Sequence, residues 1–430
     1  MGEETTRAAI EAVWRLESPR LIGALVRLVR DVGLAEDFAH DAIVAALAQW
    51  PAGGIPDNPG AWLMTTARRR AIDAFRRQAR HDELAAVLAR DLAGSQDPDL
   101  LAGVDHVEDD LLRLMFICCH PVLTPEAQAT LTLKLVAGLS TREIARAYLT
   151  SEATVAQRVS RAKRTLADAG AALAEPSGAA RAERLETVLG VVYLLFNEGY
   201  SATEGEDWTR PALCDEAARL GRILTALVPG DPEVHGLSAL LELQSSRLAA
   251  RVGPEGEPIL LDAQDRRAWD AGRIHRGLTA LGRAQELRNE AGAGATAGPY
   301  ELQAAIAAEH ARAPSVEATD WDEIADLYTR LGRRTGSPVA ELNRAVALGR
   351  ARGPAAGLAL LDQLADVPAL RGYHLVPSVR GDLYQRLGRG REAAVEFERA
   401  AGMTSNARER QLLLGRAEAA RLDPGPGGLA

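Results

Sequence analysis

The sequence predicts an all-α protein. The 430-residue chain is rich in Ala, Leu and Arg, which favour helices, and aromatic residues make up only 4% of it. Its apolar residues recur at three- and four-residue spacing in most segments. At this length two to four units are expected, each with its own core.

Along the chain, Ala9, Val13, Leu16, Leu21, Leu25 and Leu28 mark helical turns from Thr5 to Leu28, with a break expected at Ser18-Pro19. A second helix fits Ala35 to Trp50. The segment from Pro51 to Pro59 holds three prolines and two glycines and reads as a loop. Ala61 to Arg80 is helical again, with Trp62, Thr66, Ile72 and Phe75 as its apolar stripe. Gly94 to Pro98 reads as linker. Helices resume at Val107–Cys119, Pro125–Val136, Thr141–Ala147 and Glu152–Leu173, and Pro176-Ser177-Gly178 marks a boundary. Helices near Ala180–Phe196, Arg210–Leu227, Pro232–Ala250 and Arg266–Ala291 follow. Arg251 to Leu261 suits a short extended piece, and Ala291 to Pro299 a flexible joint.

Beyond that joint the sequence repeats. Asp326-Leu-Tyr-Thr-Arg-Leu-Gly-Arg333 returns as Asp382-Leu-Tyr-Gln-Arg-Leu-Gly-Arg389. Around the second copy Gly381, Tyr384, Ala393, Phe397 and Ala400 match the small and aromatic positions of a tetratricopeptide unit, and a weaker unit spans Ala345 to Leu364.

Net charge is −9, which argues against a general nucleic-acid coat protein. The distribution says more than the sum. From Trp62 to His81 there are six Arg against Asp73, and from Arg142 to Arg164 six basic residues against Glu143 and Glu152. Between them, Asp82 to Asp110 carries nine acids against Arg90. Two basic islands joined by an acidic stretch point to DNA gripped at two places.

Leu139 to Arg164 carries the sharper signal. Ile144, Ala145, Val155 and Val159 fit two short helices crossing at a turn, with Ser140 and Ser151 as N-caps. The second helix then projects Glu152, Thr154, Gln157, Arg158, Arg161, Lys163 and Arg164. Its early residues would reach base edges in a major groove, while Arg161, Lys163 and Arg164 approach phosphates. A helix-turn-helix alone says only that DNA is bound.

Ala35-Glu-Asp-Phe-Ala-His-Asp-Ala42 with Trp50, Asn58 to Arg77, and His120 to Arg164 stand in an order and separation that resemble the extracytoplasmic-function sigma factors of the sigma-70 family. The likeness extends to the subgroup with a fused tetratricopeptide-like extension, through Tyr193 to Ala202 and Asp262 to Asp270. It implies five parts: region 2 at 1–81, an acidic linker at 82–106, the region 4 helix-turn-helix at 107–175, a helical family-specific domain at 176–298, and a helical-repeat domain at 299–430. Glu36, Asp37, Asp41 and Trp50 would bind the polymerase. Asn58, Trp62, Arg68, Arg69, Arg70, Asp73, Arg76 and Arg77 would open and hold the −10 element, and the region 4 residues would read the −35 element. Arg69 stands where the family usually has Asn. The implied partners are the beta-prime and beta subunits of RNA polymerase core, promoter DNA, and the chain's own C-terminal regulatory domain.

Melting DNA needs cations for the displaced strand and a stacking surface for an unpaired base. The Arg68–Arg77 face would supply the first, and the Pro51–Pro59 loop with Trp62 the second; Trp62 alone would also serve as a core residue. The acidic linker either imitates nucleic acid in a basic channel or is a solvated tether. Asp265, Arg266 and Asp270 suit a partly buried interdomain interface fixed by Arg–carboxylate pairs.

Three cysteines make no disulfide framework, and adjacent Cys118 and Cys119 point apart on a helix, so both are expected in the core and no metal site is expected. No Walker, nucleophile-elbow or zinc-protease motif supports catalysis, and no cofactor is expected. With an acidic, non-apolar N-terminus and no long apolar run, a cytoplasmic protein with no membrane partner is expected. The rival reading is a helix-turn-helix regulator with a repeat-type sensing domain that binds DNA without polymerase.

Overall fold

The computed structural model describes residues 3–78, 104–148, 150–169, 176–202, 206–292 and 294–422. Among these the chain forms eighteen α-helices, a few 3-10 turns and one isolated antiparallel bridge, Val252 to Pro258. It divides into two compact units, Met1–Leu194 and Leu195–Ala430.

The first unit begins with α1 (Glu3–Val29), α2 (Val32–Gly53) and α3 (Pro59–Gln78). The break expected at Ser18-Pro19 does not occur, for α1 runs through Pro19. Ile10 lies buried before it and Ile22, Leu25 and Val26 after it, so packing on both sides outweighs one missing hydrogen bond. The loop expected from Pro51 is likewise shorter. Pro51 and Gly53 belong to the last turn of α2, and Pro59 opens α3, where its missing N–H costs nothing.

The apolar stripe of α3 also differs from expectation. Leu63, Ala67, Ala71 and Phe75 are buried, while Trp62, Thr66 and Ile72 are only half-buried. Small Ala67 and Ala71 at the centre of this four-residue-spaced row let α3 approach its neighbours closely, and two alanines carry little hydrophobic signal in a sequence.

The unit continues with α4 (Val104–Cys118), α5 (Pro125–Leu135), α6 (Thr141–Ala147) and α7 (Glu152–Asp168). The acidic connector expected at 82–106 lies outside the described residues except for 104–106, which already belong to α4. Cys118 and Cys119 are fully buried, as the sequence predicts, and burial pushes both thiols up, that of Cys119 to about 12. The last helix ends at Asp168 rather than Leu173 among the described residues.

Helix α8 (Gly178–Tyr200) leads into the second unit, which holds α9 (Pro211–Leu227), α10 (Pro232–Ser245), α11 (Ala271–Glu290), α12 (Pro299–Arg312) and α13 (Trp321–Thr335). It closes with α14 (Pro338–Ala351), α15 (Pro354–Gln363), α16 (Leu375–Arg386), α17 (Gly390–Met403) and α18 (Ala407–Leu422). The helix expected from Arg266 starts at Ala271, because the Asp270 carboxylate accepts the Arg273 N–H at 2.9 Å and caps it there. The expected extended piece is the single bridge near Val252, with Ile259 N–H donating to the Arg251 carbonyl at 2.8 Å.

The repeated motif falls on α13 and α16, and successive helices from α12 to α18 pack pairwise. Gly381 explains the second copy: a Cβ there would meet the Phe397 ring at 2.7 Å, so only glycine lets α16 close on α17. Gly199 does the same at the end of α8, against Leu213 and Cys214. The joint before α12 is pinned, since the Glu233 carboxylate accepts the N–H groups of Tyr300 and Glu301 at 2.9 and 3.0 Å.

Buried Asn406 joins residues two hundred positions apart. Its amide donates to the carbonyls of Ala202 and Asp207 at 3.0 and 2.9 Å, and its oxygen accepts from Arg408 and Glu409. Asn406→Ala would leave these buried groups unpaired and should cost about 2–3 kcal/mol in urea unfolding.

His310 supplies a second check. Burial, then the charges of Arg247 and Arg266, lower its pKa to about 3. The unfolded side chain, near 6.5, takes up a proton first, so stability is lost as pH falls from about 6.5 toward 3. The loss should reach about 2 kcal/mol at pH 5 and disappear in His310→Gln.

Candidate nucleic-acid interface

The candidate interface in the first unit starts from an antiparallel pair, α2 and α3. Asn58 caps α3, its side-chain oxygen accepting Ala61 N–H at 3.0 Å. Trp50, 2% exposed, meets Trp62 edge-on at 5.3 Å near that end, and Phe38 meets Phe75 at 6.1 Å near the other. Between them Arg70 pairs with Asp41 at 3.3 Å. Three contacts at matched depth fix the rotation of α3, and with its small residues facing inward the arginines must face out.

Arg69, Arg76, Arg77 and Asp73 are exposed, and Arg68 and Arg70 half-buried. Arg77 Nε donates to the Asp73 carbonyl at 3.2 Å, which steadies it along the helix. Trp62 keeps part of its ring open beside the cluster. Trp50 does not: in this conformation it props Trp62 and offers no surface to a partner. Of the acidic trio on α2, Asp37 and Asp41 are exposed while Glu36 is buried.

The helix-turn-helix follows from its caps. Ser140 and Glu143 form a reciprocal box at the start of α6, with bonds of 2.8 and 3.1 Å. Ser151 accepts Thr154 N–H at 3.1 Å and sets the start of α7. Ile144, Ala145, Val155, Val159, Ala162 and Leu166 are buried, so the other face of α7 is presented: Glu152, Thr154, Gln157, Arg161 and Arg164 are exposed. Arg158 is half-buried, with Nη1 3.4 Å from Thr130 Oγ1 on α5.

A groove of about 400 Å³ runs between α7 and the start of α5, lined by Thr124, Glu126, Thr154, Gln157, Arg158 and Arg161. Thr124 caps α5 there, placing the positive end of a helix dipole beside two arginines. The sequence predicts the start of α5 at Pro125 but not its place in this groove, which Thr124 and Glu126 of the helix-opening Thr-Pro-Glu at 124–126 help to line. Glu126 is held below the usual carboxylate range by its backbone N–H and Thr124, then by Arg158.

Lys163 departs from the rest of its group. It turns away from the exposed face of α7 and forms an ion pair with Glu36 of α2, whose side chain is 4% exposed. A residue expected at phosphate thus meets one expected at polymerase. His40, stacked on Trp14 at 5.3 Å, lies beside this pair; burial holds its imidazole below its ordinary value, with Lys134 and Lys163 acting in the same sense against Glu36. Arg27 and Asp110, 3.4 Å apart, tie α1 to α4 nearby.

In the second unit Asp265, Arg266 and Asp270 are not joined to one another. Asp265 and Asp270 are exposed caps, the first also paired with Arg267 at 2.9 Å. The expected Arg–carboxylate geometry is absent at Arg266, which donates instead to the carbonyls of His310 and, at 2.7 Å, Ala313. The end of α12 leaves such carbonyls unsatisfied, and a guanidinium supplies the donors. Among the described residues no group of His, Cys, Asp and Glu could hold a metal ion, and no helix is long and apolar enough to cross a membrane.

Family profiles match the same segments: sigma-70 region 2 over residues 13–81 and sigma-70 region 4 over 113–166. The chain belongs to the extracytoplasmic-function sigma factors of the sigma-70 family. This sigma factor carries a long helical extension, in which residues 184–285 match a family of unknown function, DUF6596. It is 45% identical over 394 residues to an uncharacterized protein of Rhizobium meliloti (strain 1021), covering 91% of each chain. It is 28% identical over 174 residues to SigI of Mycobacterium tuberculosis (strain CDC 1551 / Oshkosh), a probable ECF RNA polymerase sigma factor, covering 39% of this chain and 58% of that protein. It is 29% identical over 160 residues to the ECF RNA polymerase sigma factor SigK of Mycobacterium sp. (strain KMS), 35% of this chain and 77% of that one. No solved structure matches it. Membership makes it a factor of transcription initiation in a non-enzymatic family whose partners are RNA polymerase core and promoter DNA. A polymerase-independent regulator is not favoured, since region 2 has no place in one.

Removing one partner of the Lys163–Glu36 pair should be costly. Lys163→Met strands a buried carboxylate and should lose about 2–3 kcal/mol in urea unfolding, and adding Glu36→Gln in the same chain should recover most of it.

Proposed function

We propose that the two basic helical faces of the first unit hold one promoter at two places. Arg69, Arg76 and Arg77 on α3, flanked by Arg68 and Arg70, take the phosphates of the −10 element as it opens, and half-open Trp62 receives an unstacked base. Asn58 sets the start of that helix and Asp73 steadies Arg77. On α7, Thr154, Gln157 and Arg158 read −35 base edges with Glu152 at the helix start, while Arg161 and Arg164 hold phosphates. The observation that carries this reading is the presentation of both arginine faces to solvent on the segments that match regions 2 and 4.

Asp37 and Asp41 of α2 are the acidic surface for the beta-prime subunit, with Glu36 joining them once Lys163 lets go; the beta subunit receives region 4. In the conformation described, that ion pair engages one residue of each surface, so binding polymerase and DNA exchanges one contact for two. The parts divide as 1–81, 82–106, 107–175, 176–298 and 299–430, with the acidic segment spanning the polymerase cleft and the extension regulating the factor intramolecularly in the cytoplasm.

Transcription from a matched promoter with purified core enzyme tests this. Arg76→Glu with Arg77→Glu should abolish open-complex formation, read by permanganate footprinting, while leaving polymerase binding intact. Arg158→Ala should weaken a −35 preference by about 1–3 kcal/mol. Unchanged transcription in both variants overturns the assignment.

A further inference from the structure

Of the two segments that the sequence singled out, Tyr193–Ala202 and Asp262–Asp270, the residues Tyr200, Gln264, Arg266 and Trp269 meet a row of arginines and aromatic rings in the second unit. Arg247, only 9% exposed, lies 5.2 Å from the Trp269 ring and donates to two amide oxygens, Gln264 at 3.2 Å and Gln244 at 3.4 Å. Arg251, equally buried, sits 3.7 Å over Tyr200 and 5.5 Å from Trp208, and donates to the Tyr200 carbonyl at 3.0 Å. Arg266 stacks on Trp269 from 4.8 Å.

Charge balance here differs from the rest of the unit. Buried Glu242 is paired with Arg222 and Arg276, and buried Glu301 with Arg288. Among the described residues no carboxylate lies within ion-pair distance of Arg247, Arg251 or Arg266. The groups facing Arg247 include two further cations, Arg251 and Arg266, the hydroxyl-bearing rings of Tyr200 and Tyr328, and the buried His310 imidazole. Arg266 gains compensation from carbonyls at the end of α12 and, beyond ion-pair distance, from Glu317 and Asp262, and Arg251 from the Tyr200 carbonyl at the end of α8, whereas the hydrogen-bond partners of Arg247 are neutral amides. Aromatic faces offset only part of the cost of burying such charge. The unmatched hydrogen-bonding groups lean the same way: Trp208 Nε1, Trp269 Nε1 and Arg251 Nε are buried donors with no acceptor.

We propose that Arg247 and Arg251, walled by Tyr200, Trp208 and Trp269, form a binding site for a small oxyanion-bearing ligand. Two neighbouring guanidinium groups match a doubly charged phosphoryl group better than a single carboxylate, and both present donors that oxyanions accept. Their burial favours a small ligand over a macromolecular surface. The site goes beyond the promoter-binding reading and does not depend on it, since it is measured on the free chain.

Calorimetric titration of the full chain with inorganic phosphate and with pyrophosphate, at constant ionic strength in chloride, tests the site. Saturable binding at one site is expected, with a raised melting temperature, and Arg247→Gln or Arg251→Gln should weaken it about tenfold. Should either arginine variant fail to fold, Trp208→Phe, which keeps the ring and removes the indole N–H, should weaken it about threefold. Acetate in a parallel arm identifies the source: binding as tight as that of phosphate marks a carboxylate ligand of the same oxyanion class. Absence of saturable heat with all three anions, or affinity unchanged in every variant, overturns the proposal; so does a melting point that falls equally with and without anion, the mark of packing alone.

Discussion

Glu36 lies on α2 with its side chain almost wholly out of water, and burying a carboxylate there is costly unless a cation lies beside it. Lys163 supplies that cation from α7, and in doing so it draws the helix-turn-helix against the α2 helix within the first unit. The same constraint recurs at Asp110 with Arg27, at Glu242 with two arginines, and at Glu301 with Arg288. Buried charge therefore records which elements must stay together. Where the matching is missing, at Arg247 and Arg251, the imbalance itself is informative.

The two basic faces obey the opposite logic. Arg69, Arg76 and Arg77 are free to reach phosphate because α3 turns its leucine, alanines and Phe75 inward and is locked in rotation by Trp50 with Trp62 and Phe38 with Phe75. On α7 the lock is a cap at Ser151 and a buried row from Val155 to Leu166. Neither face needs a specific partner to exist in the free protein. Each is what remains outside once the apolar side of a helix has been buried, and positive charge there is held apart by water until DNA arrives.

Much of this was legible in the residues themselves. The helix-turn-helix, its caps and the buried cysteines follow from local rules, because a Ser-x-x-Glu box or a helical row of Ile and Val acts within one or two turns. The errors share a cause. Pro19 and Pro51 read as breaks because local propensity disfavours them, yet burial before and after Pro19 carries α1 onward, and Pro51 lies in the last turn of α2. The stripe of α3 was misassigned because alanine signals burial weakly and tryptophan strongly, while close helix approach selects for small size.

The sequence by itself determined the helical character, the two basic islands and the motifs of regions 2 and 4, all consequences of neighbours along the chain. Only the tertiary structure decided that Lys163 would leave the DNA-reading face for Glu36, that Arg266 would seek the carbonyls of α12, and that Asn406 would hold the loop near Ala202. Such pairings join positions far apart in sequence. They are set by which polar groups burial strands together, a quantity that exists only once the helices have packed.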